Sequence, residues 1–211
     1  MGDYQPEVQW NALWERIKAQ GDAHPPYHDL AQRLAEPHRA YHTVHHILHC
    51  LDEMARVQHL AVDPDAMEMA LWYHDAIYDT HATDNEEQSA ALAAHILRHA
   101  SIAEPFVQSV IRLIMATKDH TGVADPDTRL LVDIDLAILG QPESLFDAYE
   151  QQIRQEYAWV PHAAFREGRT RILLSFLHRA TIYATDHFRQ LYEVQARINI
   201  ARSLRVLDQQ V

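Results

Sequence analysis

The sequence repeats apolar residues at helical spacing along almost its whole length, and this limits the fold more than any other feature. Trp10, Leu13, Trp14 and Ile17 follow the spacing of three and four residues that places side chains on one face of a helix. No segment alternates apolar and polar residues between turn signals, as a half-buried strand does. The pattern therefore predicts an all-α fold.

Prolines and the few glycines mark where the predicted helices begin and end. The first helix is expected to close at Gly21 and at the break His24-Pro25-Pro26. Asp63 followed by Pro64 predicts the start of a helix that continues through His74, since aspartate caps an N-terminus and proline suits the first turn. The other predicted helices cover about 27–35, 41–57, 86–99, 104–117, 128–139, 142–159, 161–178 and 187–208. Without repeats or a linker, one domain over residues 1–211 is expected.

Charge and composition narrow the class of partner. The chain has 18 Lys and Arg residues against 30 Asp and Glu residues, a net charge of −12. This charge repels the backbone of long nucleic acids but leaves room for a small phosphorylated substrate, because a bound metal ion reverses the local field. There is no apolar run of membrane-spanning length, no signal-peptide pattern and a single cysteine, Cys50, so a cytoplasmic protein without a membrane anchor is expected. The oligomeric state is left open.

Histidine is abundant, at 16 of 211 residues, and four histidines fall within eight positions. His42 and His46 are four residues apart, as are His45 and His49, so each pair shares one face of a predicted helix. Only one of these faces can line a site, because the apolar residues between them must face the core. For His45 and His49 we favour a surface or structural role.

A second stretch places the adjacent pair His74-Asp75 in an apolar helix, where Leu71, Trp72 and Tyr73 are expected to be buried. Buried charges are normally paired or bound to a metal. Asp79 follows Asp75 by one turn, so a second carboxylate is expected on the same helix face.

A third stretch contains Asp133 and Asp135 in an otherwise apolar helix. An interior carboxylate needs a partner. That partner is either an arginine or a metal ion that other side chains already hold.

Together these motifs resemble the HD superfamily of metal-dependent phosphohydrolases, an all-helical fold in which a His…His-Asp…Asp set holds one divalent cation. The strings YHTVHHI, WYHDAIYD, DNEEQSA and DIDLAILG are similar to one uncharacterised bacterial branch of that superfamily. The likeness covers roughly residues 39–200 and continues through Arg154-Gln155-Glu156-Tyr157, Gly168-Arg169 and Ala196-Arg197-Ile198-Asn199. It implies a helical HD domain whose metal ligands are His46, His74, Asp75 and Asp135.

The Tyr-His-x-x-x-His element is also similar to that of cyclic-nucleotide phosphodiesterases, a distant branch. By that likeness His46 binds the metal, and His42 donates a proton to the leaving group. His45 competes for the role of ligand, but it is three residues from His42 rather than four. Asp135 matches the last aspartate of the family because Leu-Ala follows it, and Asp133 is the alternative.

Two histidines and two carboxylates suit one Mn, Fe, Co, Ni or Mg ion better than a structural zinc ion, which favours thiolates. His120 is the candidate ligand for a second ion, as a histidine in this region is in dinuclear HD proteins. Asp79 is the expected general base. Arg39 and Lys118 are the expected phosphate-binding cations, with exposed surface charge as the alternative. Glu86 either belongs to the cap of the next helix or orders a water.

The expected function is metal-dependent hydrolysis of a small phosphate ester or nucleotide. One alternative is a metal- or nucleotide-binding sensor without turnover. Others are a scaffold with structural histidines and an oxygenase with two irons. The complete ligand set together with Asp79 favours the enzyme, because a sensor need not keep a base.

Overall fold

The computed structural model describes residues 5–118 and 125–209, and every regular element in these ranges is helical. The predicted all-α class is confirmed. The described α-helices are α1 (Pro6–Arg16), α2 (His24–Leu34), α3 (Val44–Val57), α4 (Pro64–Tyr73), α5 (Asn85–His99), α6 (Glu104–Ala116), α7 (Pro126–Asp135), α8 (Glu143–Glu156), α9 (His162–Leu177) and α10 (Asp186–Gln209), with 3-10 helices at Gln58–Leu60 and Leu136–Gly140. Within the described ranges, no helix combines the length and apolar character that a membrane span requires.

The chain divides into two compact units, Met1–Val132 and Asp133–Val211. The first contains α1 to α6, the second contains α8 to α10, and α7 contributes residues to both. A single domain over residues 1–211 stays a prediction.

Helix α4 is the centre of the first unit, where it packs on α1, α3, α5 and α6. It is apolar around most of its circumference, and every residue from Ala66 to Tyr73 is buried. Leu71, Trp72 and Tyr73 are each no more than 1% exposed, which confirms their predicted burial. The rings of Trp10 and Trp72 meet edge to face with centroids 5.8 Å apart, an arrangement that aromatic pairs prefer.

The start of α4 agrees with the prediction from Asp63 and Pro64. The Asp63 carboxylate accepts a hydrogen bond from the amide of Ala66 at 3.0 Å. The buried carboxylate of Asp127 accepts from the amides of Val62 and Asp63 at 2.7 and 2.8 Å. These bonds satisfy amide groups that a helix N-terminus leaves without partners.

Several predicted boundaries are wrong, among them those of α2, α3 and α4. Helix α2 begins at His24, because Pro25 and Pro26 fit its first turn rather than break the chain. Helix α3 begins at Val44, because Thr43 is extended and its side chain caps the amide of His45. Helix α4 ends at Tyr73, so the residues after His74 form a turn and a loop.

In the second unit α10 packs on α9 and on the 3-10 helix Leu136–Gly140. A Cβ atom at Gly140 would come within 2.4 Å of the Tyr192 side chain, so this close approach requires glycine. The Asn199 amide donates to the carbonyls of Leu139 and Gln141 at 2.9 and 2.8 Å. Asn199, one of the residues at which the sequence resembles the HD family, thus has a structural role.

Candidate metal centre

Helix α3 and the turn after α4 bring His46, His74 and Asp75 together. The Nε2 atoms of His46 and His74 are 3.0 Å apart. The Asp75 Oδ2 atom lies 3.3 Å from His46 Nε2 and 3.1 Å from His74 Nε2. Both histidines are buried, whereas the Asp75 side chain is 18% exposed. The two histidines of the site are therefore buried, and solvent reaches the site at Asp75.

The tautomer of His74 follows from its second ring nitrogen. His74 Nδ1 lies 2.9 Å from the carbonyl oxygen of Leu71, which can only accept, so Nδ1 carries the proton. A protonated His74 can then donate from Nε2 to Asp75, and loss of that proton leaves a lone pair on Nε2 that a metal ion can use. An outer hydrogen bond of this kind orients most histidine ligands of metal ions.

The distances among these three atoms fit ligands of one ion. Ligands about 2.0–2.2 Å from a first-row ion stand roughly 3 Å apart, and the three separations are 3.0, 3.1 and 3.3 Å. The two imidazoles and the carboxylate are therefore compatible with a divalent metal ion.

The charge state of Asp75 also suits a cation. Burial alone raises the pKa of its carboxyl group, but two effects outweigh it: the charges of His74 and His42, and hydrogen bonds from His46 and His74. The pKa of Asp75 is consequently held well below its ordinary value. The side chain is a carboxylate at neutral pH.

Cys50 is a member of this site that the sequence analysis did not select. It lies one helical turn after His46 on α3 and is fully buried, with Sγ 3.7 Å from Nδ1 and 3.8 Å from Nε2 of His46. Within the first unit, the potential ligand atoms of His46, Cys50 and His74 all lie within 4.8 Å of one another. These residues form a group that could hold a metal ion. The spacing of four residues between His46 and Cys50 was a usable signal.

Arg39 hydrogen-bonds to the backbone of two segments that form the site. Its Nη1 atom donates to the carbonyls of His42 and Asp75 at 3.0 and 2.7 Å, and Nη2 donates to the carbonyl of Ala76 at 3.0 Å. Its Nε atom donates to Glu36 at 3.1 Å, and the side chain is fully buried. Arg39 thereby joins the loop before α3 to the turn that carries Asp75. The guanidinium hydrogen-bonds to backbone carbonyls, and these bonds do not involve a substrate. The predicted role of Arg39 in binding phosphate stays a prediction.

Arg39→Ala is expected to destabilise the chain by about 3 kcal/mol or more, because three buried or partly buried carbonyl groups lose their donor. Thermal unfolding followed by circular dichroism measures the loss. Arg171→Ala removes an exposed ion pair with Glu167 and should change stability by no more than about 0.5 kcal/mol. Equal stability of the two variants would show that Arg39 is not a structural support.

His42 lies beside the site but not on α3, so the predicted shared helix face of His42 and His46 is wrong. The backbone turns at Thr43, and the two ring centroids are nevertheless 5.9 Å apart. The His42 ring stacks on Tyr78 with a centroid distance of 4.0 Å and an interplanar angle of 29°. This stacking fixes the orientation of a half-buried imidazole at the edge of the site.

Asp79 lies in the loop after α4, so the predicted helix face shared with Asp75 is also wrong. Its exposed carboxylate accepts from the amide of His81 at 2.8 Å and lies 3.0 Å from His81 Nδ1. These bonds lower the pKa of Asp79. The side chain of Asn85 accepts from the amide of Asp79 at 3.0 Å and donates to its carbonyl at 2.9 Å. Sequence reasoning selected neither His81 nor Asn85, because neither forms a regular spacing with the motifs.

Lys118 follows α6, and its Nζ atom donates to the carbonyl of Thr83 at 3.0 Å and to the carboxylate of Glu87. It thus holds the start of α5, and its role towards phosphate stays a prediction. Glu86 is half-buried in the first turn of α5, where the N-cap Asp84 makes no side-chain cap bond. The proposed second-metal ligand, His120, lies outside the described residues.

The candidate aspartates of α7 differ in their surroundings. The fully buried Asp133 accepts from the amides of Ala184 and Thr185, each at 2.7 Å, and from the Thr185 hydroxyl at 2.6 Å. It therefore stabilises the loop before α10, which is neither of the partners expected from the sequence. Asp135 is the last residue of α7 and is half-buried in the second unit. The bonds of Asp133 favour Asp135 as the metal ligand, and that role stays a prediction.

The surface or structural role of His45 and His49 stays a prediction. His45 is exposed, which favours His46 as the ligand. His49 Nε2 lies 3.8 Å from the buried carboxylate of Glu53.

Comparison with family models, with curated proteins and with solved structures found no match to this chain. The resemblance to the HD superfamily therefore rests on the motifs in the sequence.

Proposed function

We propose that the chain is a metal-dependent phosphohydrolase of the HD type that acts on a small phosphate ester or nucleotide. The convergence of two buried imidazole nitrogens and an ionised carboxylate at His46, His74 and Asp75 carries this proposal. Asp135 is the proposed fourth ligand, on the resemblance described above. When bound, a divalent ion would polarise a phosphoryl oxygen and make the attacking water more acidic.

The proposed proton transfers use side chains at the edge of the site. During hydrolysis a water oxygen forms a bond to phosphorus, and the bond from phosphorus to the leaving oxygen breaks. His42 is the proposed donor of the proton that the leaving oxygen takes, because its ring is held by Tyr78 beside His46. Asp79 is the proposed acceptor of the proton that the water loses. Arg39 is a positioning residue in this scheme, because it holds the carbonyl of Asp75.

A sensor without turnover is the second candidate, and the state of Asp79 supports it. The carboxylate is exposed and bonded to His81, and its pKa is lowered. A carboxylate with a lowered pKa accepts protons poorly, whereas general bases work best with a pKa near the working pH. Such a protein would still bind the ion and a nucleotide.

The purified protein is expected to contain about one divalent ion per chain and to hydrolyse at least one member of a panel of nucleotides and phosphate esters. The panel is measured with Mn, Mg, Co and Ni, because histidine and carboxylate ligands suit these ions. Asp75→Asn is the matched control, since it keeps the size of the side chain and removes its charge. Turnover should disappear in this variant and after chelation.

Two outcomes separate the candidates. Bound metal without turnover on any panel member would support the sensor. A protein that binds no metal under any of the four conditions would contradict both candidates and leave a helical scaffold.

A further inference from the structure

Cys50 stands at the metal centre although the HD resemblance assigns it no role. It is the only cysteine of the chain and is fully buried. Its Sγ atom contacts the two ring nitrogens of His46 at 3.7 and 3.8 Å. A structural cysteine behaves as a small apolar side chain. This one instead lies against the imidazole of His46, whose Nε2 atom faces a second imidazole.

The surroundings of Cys50 independently indicate a cation. His46 Nε2 and His74 Nε2 are buried 3.0 Å apart, and the Asp75 carboxylate lies within 3.3 Å of both. The orientation of His74, set by the carbonyl of Leu71, directs its Nε2 atom into this space. Two imidazole nitrogens and a carboxylate at such distances would stabilise a positive ion between them. Cys50 borders that space within the same unit.

The separation of Cys50 and His46 suits two ligands of one ion. With metal–nitrogen and metal–sulfur bonds of about 2.0 and 2.3 Å, bond angles of about 90–110° place the two ligand atoms roughly 3.0–3.5 Å apart. The distance from Sγ to His46 Nε2 is 3.8 Å. Sγ is almost equally far from Nδ1, so ligation requires the sulfur to turn towards Nε2. Cysteine has a single side-chain torsion, and rotation about it changes the distance from the sulfur to Nε2.

We propose that Cys50 is a thiolate ligand of this centre and determines which class of metal it takes. The inference rests on the proposed metal centre. The sulfur releases its proton to solvent when it binds the ion. Thiolate ligands favour zinc, cobalt and ferrous iron, whereas magnesium prefers oxygen ligands. The centre therefore selects a soft or borderline ion, which histidine and carboxylate ligands alone do not require.

Titration of the metal-free protein with Co(II), in a buffer without added thiols, tests this assignment by absorption. Bound Co(II) gives visible d–d bands, and a thiolate ligand adds an intense near-ultraviolet band from sulfur-to-cobalt charge transfer. Because Cys50 is the only cysteine, that band can arise from no other residue. Both sets of bands are expected in the wild-type protein. Cys50→Ser should keep the d–d bands, lose the near-ultraviolet band and bind Co(II) about tenfold or more weakly.

The controls separate failure of this inference from failure of the metal centre. His74→Ala should lose both sets of bands. Visible d–d bands without the near-ultraviolet band in the wild-type protein would overturn Cys50 as a ligand and leave the centre intact. Absence of any bound Co(II) would overturn the centre itself, and with it this inference. Even if Cys50→Ser fails to fold, the wild-type spectrum decides the question.

Discussion

His74→Ala is expected to abolish metal binding and to destabilise the chain by about 3–5 kcal/mol, because the variant leaves buried polar groups of the site without their partner. His74 is buried, and its ring contacts both His46 and Asp75. For a chain of this length the loss corresponds to a decrease of roughly 10 °C in Tm. Elemental analysis and thermal unfolding of the same sample measure the two effects together.

His95→Ala is the matched control for this prediction. His95 is exposed on α5, so its removal should leave the metal content unchanged and alter stability by no more than about 0.5 kcal/mol. Asp75→Asn provides a milder change at the site and should lower metal content with a smaller loss of stability. If His74→Ala retained one ion per chain, the assignment of His74 as a ligand would be wrong.

His42→Ala and Asp79→Ala are expected to retain the ion and to lower kcat, each by about 10²–10⁴-fold. The reason is that neither residue is among the proposed ligands, whereas both are proposed to transfer protons. Steady-state kinetics on a substrate found in the panel, with metal content measured beside it, tests this pair. The change should lie mainly in kcat rather than in KM, because the interactions form in the transition state.

His45→Ala is the control for His42→Ala, because His45 is exposed three residues further along the chain. It should leave both kcat and metal content unchanged. Loss of the ion in His45→Ala would instead revive His45 as the ligand. If His42→Ala and Asp79→Ala both kept near-normal kcat values, the proton transfers would belong to other groups, and the half-buried Glu86 on α5 would be tested next.

The placement of Asp79 shows why some of the site was not accessible to sequence reasoning. A helical spacing from Asp75 predicted a shared face, but α4 ends at Tyr73. His81 and Asn85 then bind Asp79 within a loop. Hydrogen bonds within a loop follow no regular residue spacing, so no pattern in the sequence predicts them.

Asp133 and Arg39 illustrate the second limit. Both are charged residues that the sequence offered as candidates for chemistry. Asp133 binds the amide of Ala184, 51 residues away, and Arg39 binds the carbonyl of Asp75, 36 residues away. Contacts between residues so far apart in the sequence depend on how the helices pack. The sequence alone therefore does not distinguish a charged residue that supports a loop from one that binds a ligand.

The sequence by itself determined the helical class, the burial of α4 and the adjacency of His74 and Asp75 in that apolar segment. These features follow from the local period of side chains along a helix, which every stretch of about ten residues carries on its own. Only the tertiary structure decided that His46 rather than His45 faces His74, that Cys50 borders the same space, and that Asp133 and Arg39 bind backbone. The physical reason is that these outcomes depend on which residues, remote in sequence, lie within hydrogen-bonding distance once the helices have packed.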